Sequence, residues 1–204
     1  MNFEFFTVME WIGTIAFAVS GAVVAIEKEL DYYGICFMAI ITAVGGGIIR
    51  DILVNRTIPA ALADPTYAFV SLGTAVIVIF FYKRIKKISH LVSVADAFGL
   101  AAFTAVGAQV AAFAGHSEVY FVITTGVLTG TFGGVLRDVF VQEIPRCFRR
   151  EVYAAASIAG AVAYGMSYGN VNYTEALNIC FAVTLVVRLV AIFKDLHLGK
   201  VKLD

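Results

Sequence analysis

The strongest constraint on this chain is a series of long apolar runs that carry few charges or none. No Asp, Glu, Lys or Arg occurs from Pro65 to Tyr82, or from Val152 to Thr174. A helix of about 20 mostly apolar residues crosses the roughly 30 Å hydrocarbon layer of a bilayer. Charged residues make up only 15% of the chain, whereas an average soluble domain carries about 25%. The sequence therefore predicts an all-α integral membrane protein.

The apolar runs predict seven transmembrane helices with short connections and no soluble domain. The third and sixth runs are free of charge, and the other five each contain at least one charged residue. An odd number of spans places the two termini on opposite sides of the membrane. The predicted spans are residues 5–26, 34–54, 66–82, 92–114, 119–141, 152–170 and 174–193.

Lysine and arginine are distributed unevenly between the two sets of loops. One side has only Arg56, and the other side has eleven basic residues: Lys28, Lys83, Arg84, Lys86, Lys87, Arg146, Arg149, Arg150, Lys194, Lys200 and Lys202. Cytoplasmic loops carry the excess of positive charge in membrane proteins. We therefore expect an external amino terminus and a cytoplasmic carboxyl terminus. The basic clusters beside the inner helix ends could also attract anionic membrane lipids.

Two halves of the chain match at a shift of about 86 residues. The sequence GGGIIRD at residues 45–51 corresponds to FGGVLRD at residues 132–138. The other matched pairs are Glu10 with Asp96, Gly13 with Gly99, Phe17 with Phe103, Gly21 with Gly107, Pro59 with Pro145, Tyr67 with Tyr153 and Ser71 with Ser157. The pattern predicts a first three-helix repeat at 1–90, a second at 91–172, and a seventh helix with a cytoplasmic tail at 173–204.

The repeats are expected to be inverted, because each contains three spans and an odd number reverses the direction of the second copy. Inverted repeats recur in proteins that move solutes, and the solute path lies at the interface between the repeats. The sequence therefore points to transport across the membrane.

Glycine clusters precede the Arg-Asp pair in both copies: Gly45, Gly46 and Gly47 in the second span, and Gly130, Gly133 and Gly134 in the fifth. Each glycine weakens a helix by roughly 1 kcal/mol relative to alanine. We expect these segments to kink or unwind, which would expose carbonyl oxygens that can coordinate a cation. The alternative is close helix packing through small residues, which is the role expected of Gly13, Gly21, Gly99 and Gly107.

Four ionisable residues lie inside the second and fifth spans: Arg50, Asp51, Arg137 and Asp138. Neighbouring residues point about 100° apart on a helix, so each arginine is expected to be a poor partner for its own aspartate. The directions of the spans instead predict the ion pairs Glu10–Arg50 near the outer side and Asp96–Arg137 near the inner side. Asp51 and Asp138 would then face water or a permeating cation. The alternative is that all these groups lie near helix ends and extend to the interface.

The remaining polar and aromatic residues predict no catalytic chemistry. Trp11, Tyr32, Tyr33, Tyr67 and Tyr153 fit anchors at the membrane interface, and Arg188 is expected to reach the inner interface. The residues that could bind a metal are scattered: Cys36, Cys147, Cys180, His90, His116 and His197. We therefore expect no metal site, no cofactor and no enzymatic activity. The net charge of zero gives no reason to expect a nucleic-acid partner.

The inverted three-plus-three spans, the appended seventh span and the GGGxxRD motif together resemble the trimeric intracellular cation (TRIC) channel family. The chain looks like a prokaryotic member, from Glu10 to about Arg188, with Phe132 in place of the first glycine of the second motif. The resemblance implies a homotrimer in the bacterial inner membrane, with a potassium-permeable path in each subunit gated by glycine-kinked helices. The lining residues that it implies are Gly45, Gly46, Gly47, Arg50, Asp51, Gly133, Gly134, Arg137 and Asp138.

Similar bacterial sequences are also named glycine transporters, so a carrier for a small amino acid such as glycine is the alternative function. In a carrier, the amino end of a half-helix would hold the substrate carboxylate, and an acidic side chain would hold its ammonium group. The lack of a second, clearly polar substrate pocket favours the channel. A purely structural scaffold is disfavoured by the duplicated charged motif.

Overall fold

The computed structural model describes residues 3–85, 87, 90–115, 118–149 and 152–196. These residues form helices and no strand, which confirms the prediction of an all-α protein. Several residues named from the sequence lie outside the described parts of the chain: Lys86, His116, Arg150, His197, Lys200 and Lys202. The predicted cytoplasmic tail after Leu196 therefore lies outside them as well.

Nine helices follow one another in the described residues, and the order of the first four is repeated in the next four. Each set has two long helices, one helix of four residues and one further helix, and α9 follows the second set. The helices are α1 Phe3–Glu27, α2 Tyr32–Leu53, α3 Ala60–Ala63, α4 Thr66–Ile85, α5 Leu91–Phe113, α6 Val119–Phe140, α7 Arg146–Arg149, α8 Tyr153–Ser167 and α9 Tyr173–Phe193.

Two of the long helices begin at polar residues that satisfy the free N–H groups of the first turn. The Asp31 carboxylate accepts a hydrogen bond from the Gly34 N–H at the start of α2, at 2.7 Å. At the start of α9, Asn172 and Glu175 form a reciprocal capping box. These caps set the starting points of two helices that are otherwise almost wholly apolar.

Six helices in the described part of the chain are long and apolar enough to cross a membrane. They are Phe5–Glu27, Tyr32–Leu53, Thr66–Arg84, Leu91–Phe113, Val119–Phe140 and Tyr173–Phe193. The predicted span at 152–170 forms a helix of only 15 residues, α8. The chain leaves that helix at Tyr168 and turns at Gly169, which has φ +84°. At 1.5 Å per residue, α8 is about 22 Å long, which is shorter than the hydrocarbon layer.

Helices α1 and α5 form the centre of the molecule, and they pack against each other and against α2 and α6. In their most apolar windows, α1 is 67% buried and α5 is 72% buried, compared with 22% for α4 and 33% for α9. The exposed faces of α4 and α9 carry large apolar side chains such as Phe69, Phe80 and Val186. Exposed apolar faces of this kind are suited to contact with lipid.

The central helices approach each other closely at glycines, and equivalent glycines of the two sets make equivalent contacts. A Cβ at Gly13 would lie 3.0 Å from the Phe103 ring, and a Cβ at Gly99 would overlap the Phe17 ring. Gly21 lies against Met38 and Thr42, and Gly107 lies against Thr125 and Thr129. The prediction that these four glycines serve close packing is confirmed.

Candidate functional site

The first of two buried ion clusters joins α1, α2 and α4 around Arg50. Nη1 of Arg50 donates to Oε1 of Glu10 at 3.0 Å, and its Nε donates to Oδ1 of Asp51 at 2.8 Å. The Tyr67 hydroxyl donates to Oε2 of Glu10 at 2.9 Å. Both oxygens of Glu10 are therefore engaged, and Arg50 is only 3% exposed.

The second cluster repeats this arrangement around Arg137 on α6, with partners from α5 and α1. Nη1 of Arg137 donates to Oδ1 of Asp96 and to the Ser20 hydroxyl. Nε of Arg137 donates to Oδ1 of Asp138 at 2.8 Å. Every member of the cluster is buried, as is Tyr153, whose ring lies next to it.

The predicted ion pairs Glu10–Arg50 and Asp96–Arg137 are both present, so the expectation drawn from the span directions is confirmed. The expectation that each arginine would avoid its own aspartate is wrong. The helical angle between neighbouring Cβ atoms does not limit a side chain as long as arginine, which bends back so that Nε reaches the adjacent carboxylate. Arg50 and Arg137 each therefore have two carboxylate partners.

Asp51 and Asp138 do not face water, which corrects a second expectation. Both carboxylates are buried, and their other oxygens accept backbone N–H groups at the starts of the four-residue helices. Oδ2 of Asp51 accepts from the Ala60 N–H at 2.6 Å, and Oδ2 of Asp138 accepts from the Arg146 N–H at 2.8 Å. Each aspartate thus connects a buried arginine to the segment that follows its helix.

The glycine motifs remain helical, so the predicted unwinding does not occur. Helix α2 continues without interruption from Tyr32 to Leu53, and α6 continues from Val119 to Phe140. Gly46 lies directly against the carbonyl oxygen of Thr129, and Gly133 lies against the carbonyl oxygen of Thr42. Both motifs therefore allow the two helices to cross with their backbones in contact.

The two ion clusters differ in their access to the outside of the molecule. Glu10, Arg50 and Tyr67 line a cavity of about 340 Å³ that also includes the exposed residues Arg56 and Asp64. A void of about 10 Å³ continues from this cluster past Gly47 and Thr14 to Phe103. The Phe103 ring packs on Phe17 with centroids 5.5 Å apart, and Phe17 in turn contacts Gly133. The second cluster lies beyond this pair of rings and is buried.

The lining of the larger cavity is balanced in charge, with two carboxylates and two guanidinium groups. Hydrogen bonds from the side chain and backbone N–H of Thr66 lower the pKa of Asp64 below its ordinary value. Asp64 therefore stays ionised at neutral pH. Arg56 lies 3.8 Å from Oδ2 of Asp51, and more than half of its side chain is exposed.

The clusters contain three functional candidates whose roles the sequence did not reveal. Tyr67 is bonded to Glu10, and Tyr153 is 1% exposed, so neither acts as a simple interface anchor as predicted. Arg188 was expected at the inner interface but is buried, with its guanidinium carbon 4.8 Å from the centroid of the Tyr153 ring. The pairing of Tyr67 with Tyr153 in the repeat was the available signal for the two tyrosines.

Comparison with known proteins gives matches over most of the chain. A family model described as "Glycine transporter" matches residues 7–83 and 93–168. The inner membrane protein YadS of Escherichia coli (strain K12) is 34% identical over 199 residues, which cover 96% of each chain.

Solved structures agree with the family match. A TRIC cation channel, whose structure was solved to explain its conductance, superimposes with a TM-score of 0.90 at 31% identity. The match covers 100% of this chain and 99% of that one. The TRIC trimeric intracellular cation channel orthologue from Rhodobacter sphaeroides gives a TM-score of 0.88 at 35% identity, over 94% and 98% of the two chains. The chain is therefore an integral membrane protein of the family that includes the prokaryotic TRIC channels and that the glycine-transporter model describes.

Proposed function

We propose that this protein is a cation channel permeable to potassium, and that it forms a homotrimer with one path in each subunit. The support for ion conduction is the likeness to TRIC cation channels over nearly the whole chain. The support for the trimer is the description of the Rhodobacter sphaeroides relative as trimeric. As a channel, the protein would transport ions without catalysing a reaction.

The observation that carries the proposal is the presence of two ion clusters inside the helix bundle, one bordering a cavity and the other past the rings of Phe17 and Phe103. The cavity leads to Glu10 and Arg50, the small void leads on to Phe103, and the Arg137 cluster lies beyond the ring pair. Ionisable groups inside a membrane are costly and characteristically mark ion pathways. The proposed path runs along the crossing of α2 and α6, and the phenylalanine rings and the buried second cluster would close it.

We propose that the residues of the two motifs line this path when it is open: Gly45, Gly46, Gly47, Arg50, Asp51, Gly133, Gly134, Arg137 and Asp138. The glycines permit α2 and α6 to bend or slide at their crossing, which would gate the path without requiring either helix to unwind. The arginines and aspartates fix the ends of these helices rather than coordinating the ion directly.

The proposed topology is a three-plus-three inverted repeat followed by α9, with the amino terminus outside a bacterial inner membrane. The separate family matches to residues 7–83 and 93–168 support the repeat. The ion pair between Lys28 and Glu143 supports placing the α1–α2 loop and the segment after α6 on one side. This topology counts α8 as a span despite its length, and it leaves the basic clusters facing the anionic lipids of the inner leaflet.

A carrier for a small amino acid such as glycine is the second candidate, and one observation favours it. The cavity at the first cluster presents Asp64 and Arg56 as exposed, oppositely charged groups. A zwitterion carries one charge of each sign and can be held by such a pair, whereas a cation gains from the carboxylates alone. The family model's description points the same way.

The deciding experiment uses purified protein in liposomes under a potassium gradient. A channel gives single-channel currents, and Glu10→Gln should reduce them because it neutralises the carboxylate at the cavity floor. Glu29→Gln is the matched control, since Glu29 is exposed in the α1–α2 loop. Saturable exchange of labelled glycine without such currents would instead establish the carrier.

A further inference from the structure

The equivalent tyrosines of the two clusters occupy different positions relative to equivalent glycines. In the first cluster, Tyr67 and Gly47 both line the small void, and a Cβ at Gly47 would meet only Nη2 of Arg50, at 3.9 Å. In the second cluster, a Cβ at Gly134 would lie 2.8 Å from the Tyr153 hydroxyl. The space beside the glycine is therefore open in one half and filled by a tyrosine in the other.

Different neighbours hold the two tyrosine rings. The Tyr67 ring packs on Trp11, with centroids 5.1 Å apart, and its hydroxyl donates to Glu10. The Tyr153 ring carries the guanidinium of Arg188 on its face, at 4.8 Å. Its hydroxyl lies beside Asp96 without forming a hydrogen bond of normal geometry to any described residue.

The difference between the halves comes from α9, which follows the duplicated part of the chain. Arg188 belongs to this helix, and α9 lies outside both segments that the family model matches. A guanidinium on an aromatic face is attracted to it, and the attraction is stronger when both groups are removed from water, as they are here. The Tyr153 hydroxyl also interacts with Asp96, and the contact with Arg188 is the interaction that α9 adds to hold the ring in place.

We propose that Arg188 is a positioning residue that holds Tyr153 in the space beside Gly134 and so keeps the second half of the path closed. This inference rests on the proposed path. Loss of the contact lets the Tyr153 ring leave the space beside Gly134, and the second cluster then becomes accessible to water, as the first cluster is. Helix α9 thereby makes a duplicated molecule asymmetric, with one end open and the other closed.

The test measures access to the second cluster and requires no ion flow. Ser20→Cys places a thiol at the Arg137 cluster, in a protein whose Cys36, Cys147 and Cys180 are replaced by serine or alanine. The rate of modification by methanethiosulfonate ethylammonium is measured on detergent-solubilised protein that elutes as a single species. Arg188→Gln should raise this rate about thirtyfold, the size of effect expected from losing a desolvated cation–π contact. Arg188→Lys, which keeps the cation, should remain close to the parent protein.

Two controls separate this role from a general loosening of the helices. Val186→Ala truncates a side chain on the exposed face of the same helix, and Tyr67→Phe alters only the first cluster. Neither should change the modification rate of the thiol that Ser20→Cys introduces. Tyr153→Leu keeps an apolar side chain of moderate size but removes the aromatic face, so it should raise the rate by itself. Arg188→Gln should then add nothing to Tyr153→Leu, because the arginine acts through the ring.

An unchanged rate in Arg188→Gln, equal increases in the control variants, or additive effects of Arg188→Gln and Tyr153→Leu would each overturn the inference. If Arg188→Gln does not fold, an unchanged rate in Tyr153→Leu has the same consequence. Access that changes as stated in a protein that carries no potassium current would support this inference while rejecting the channel. The opposite outcome is a protein that carries potassium currents but whose introduced thiol is modified at the same rate with and without Arg188. That outcome would support the channel and reject this inference.

Discussion

Arg50 and Arg137 each take part in two ion pairs, and the second partner of each arginine performs a further task. Asp51 and Asp138 accept both a guanidinium N–H and the backbone N–H that starts the following short helix. A buried carboxylate with two such donors is fully engaged. At the scale of single residues, the Arg-Asp motif therefore fixes the ends of α2 and α6.

Replacing either aspartate by asparagine should destabilise the protein. In Asp138→Asn the amide has only one oxygen, so its NH₂ group must face either the Arg137 guanidinium or the Arg146 N–H, both of which are donors. Loss of a hydrogen bond to a charged group costs about 1.5–3 kcal/mol. We expect Asp51→Asn and Asp138→Asn to lower the free energy of unfolding by this amount, as measured by chemical unfolding in mixed micelles.

The matched control for these variants is Asp31→Asn, which makes the same chemical change at the exposed start of α2. Asparagine caps helices about as well as aspartate, so this variant should unfold with almost the parent free energy. If Asp138→Asn were as stable as Asp31→Asn, the carboxylate would not be needed to hold α6 and α7 together.

Sequence reasoning identified the charged residues and their long-range partners but missed their complete geometry. The alternating directions of the spans were sufficient to pair Glu10 with Arg50, because the two lie near the same end of adjacent helices. The partnership of Arg50 with Asp51 depends on a side-chain rotamer, which spacing along a helix does not determine. The burial of Tyr153 depends on the space left by Gly134 on another helix, and local sequence carries no record of that contact.

Helices α2 and α6 cross with their backbones in contact, and glycine is required at two points of the crossing. Gly46 packs against the carbonyl oxygen of Thr129, and Gly133 packs against the carbonyl oxygen of Thr42. Both threonine hydroxyls bond to carbonyl oxygens of their own helices, each at 2.6 Å. The threonine hydroxyls are therefore satisfied within their own helices, and the backbones of α2 and α6 meet directly at the crossing.

A methyl group at either crossing glycine should separate the two helices. Gly46→Ala or Gly133→Ala would place a Cβ against a backbone carbonyl, and overpacking of this kind costs roughly 1–3 kcal/mol. We expect a lower free energy of unfolding in both variants. Gly73→Ala is the control, because a Cβ there meets nothing within 4 Å. That substitution should raise the stability of α4 by up to about 1 kcal/mol, and equal losses at all three positions would contradict the proposed packing.

The elements themselves were largely predictable, because apolar runs bounded by charges define helices that cross a membrane. The starts and ends of α1, α5 and α9 lie within a few residues of the prediction. The sixth run was equally apolar, yet α8 ends at Ser167, because the chain turns at Gly169 well before the apolar stretch ends. The four-residue helices α3 and α7 were not predicted, since their starts depend on Asp51 and Asp138 from the preceding helices.

At the scale of the whole molecule, the two similar halves differ in how accessible their ion clusters are. Equivalent residues form equivalent clusters, but the first cluster borders a cavity, while the members of the second are buried and lie behind the rings of Phe17 and Phe103. If the two halves are inverted copies, the cavity at the first cluster and the buried second cluster lie at opposite ends of the proposed path. A path with one end accessible and the other closed is not continuous. A channel requires a further state with both ends open, whereas a carrier would only exchange the two.

The orientation of this asymmetric molecule in the membrane is a final testable consequence of its charge distribution. In the proposed seven-span topology, the basic residues in the loops divide eleven to one between the two sides, and the side with the excess is expected to stay in the cytoplasm. In a cysteine-free protein, Thr57→Cys should therefore react with a membrane-impermeant maleimide on intact bacteria. Leu30→Cys and Ile144→Cys should react only after the cells are opened.

Leu30 follows Lys28 and Ile144 follows Glu143, and the ion pair between Lys28 and Glu143 requires both positions to lie on one side. Labelling of Leu30→Cys on intact cells would show that the protein has the opposite orientation, with the cavity at Glu10 facing the cytoplasm.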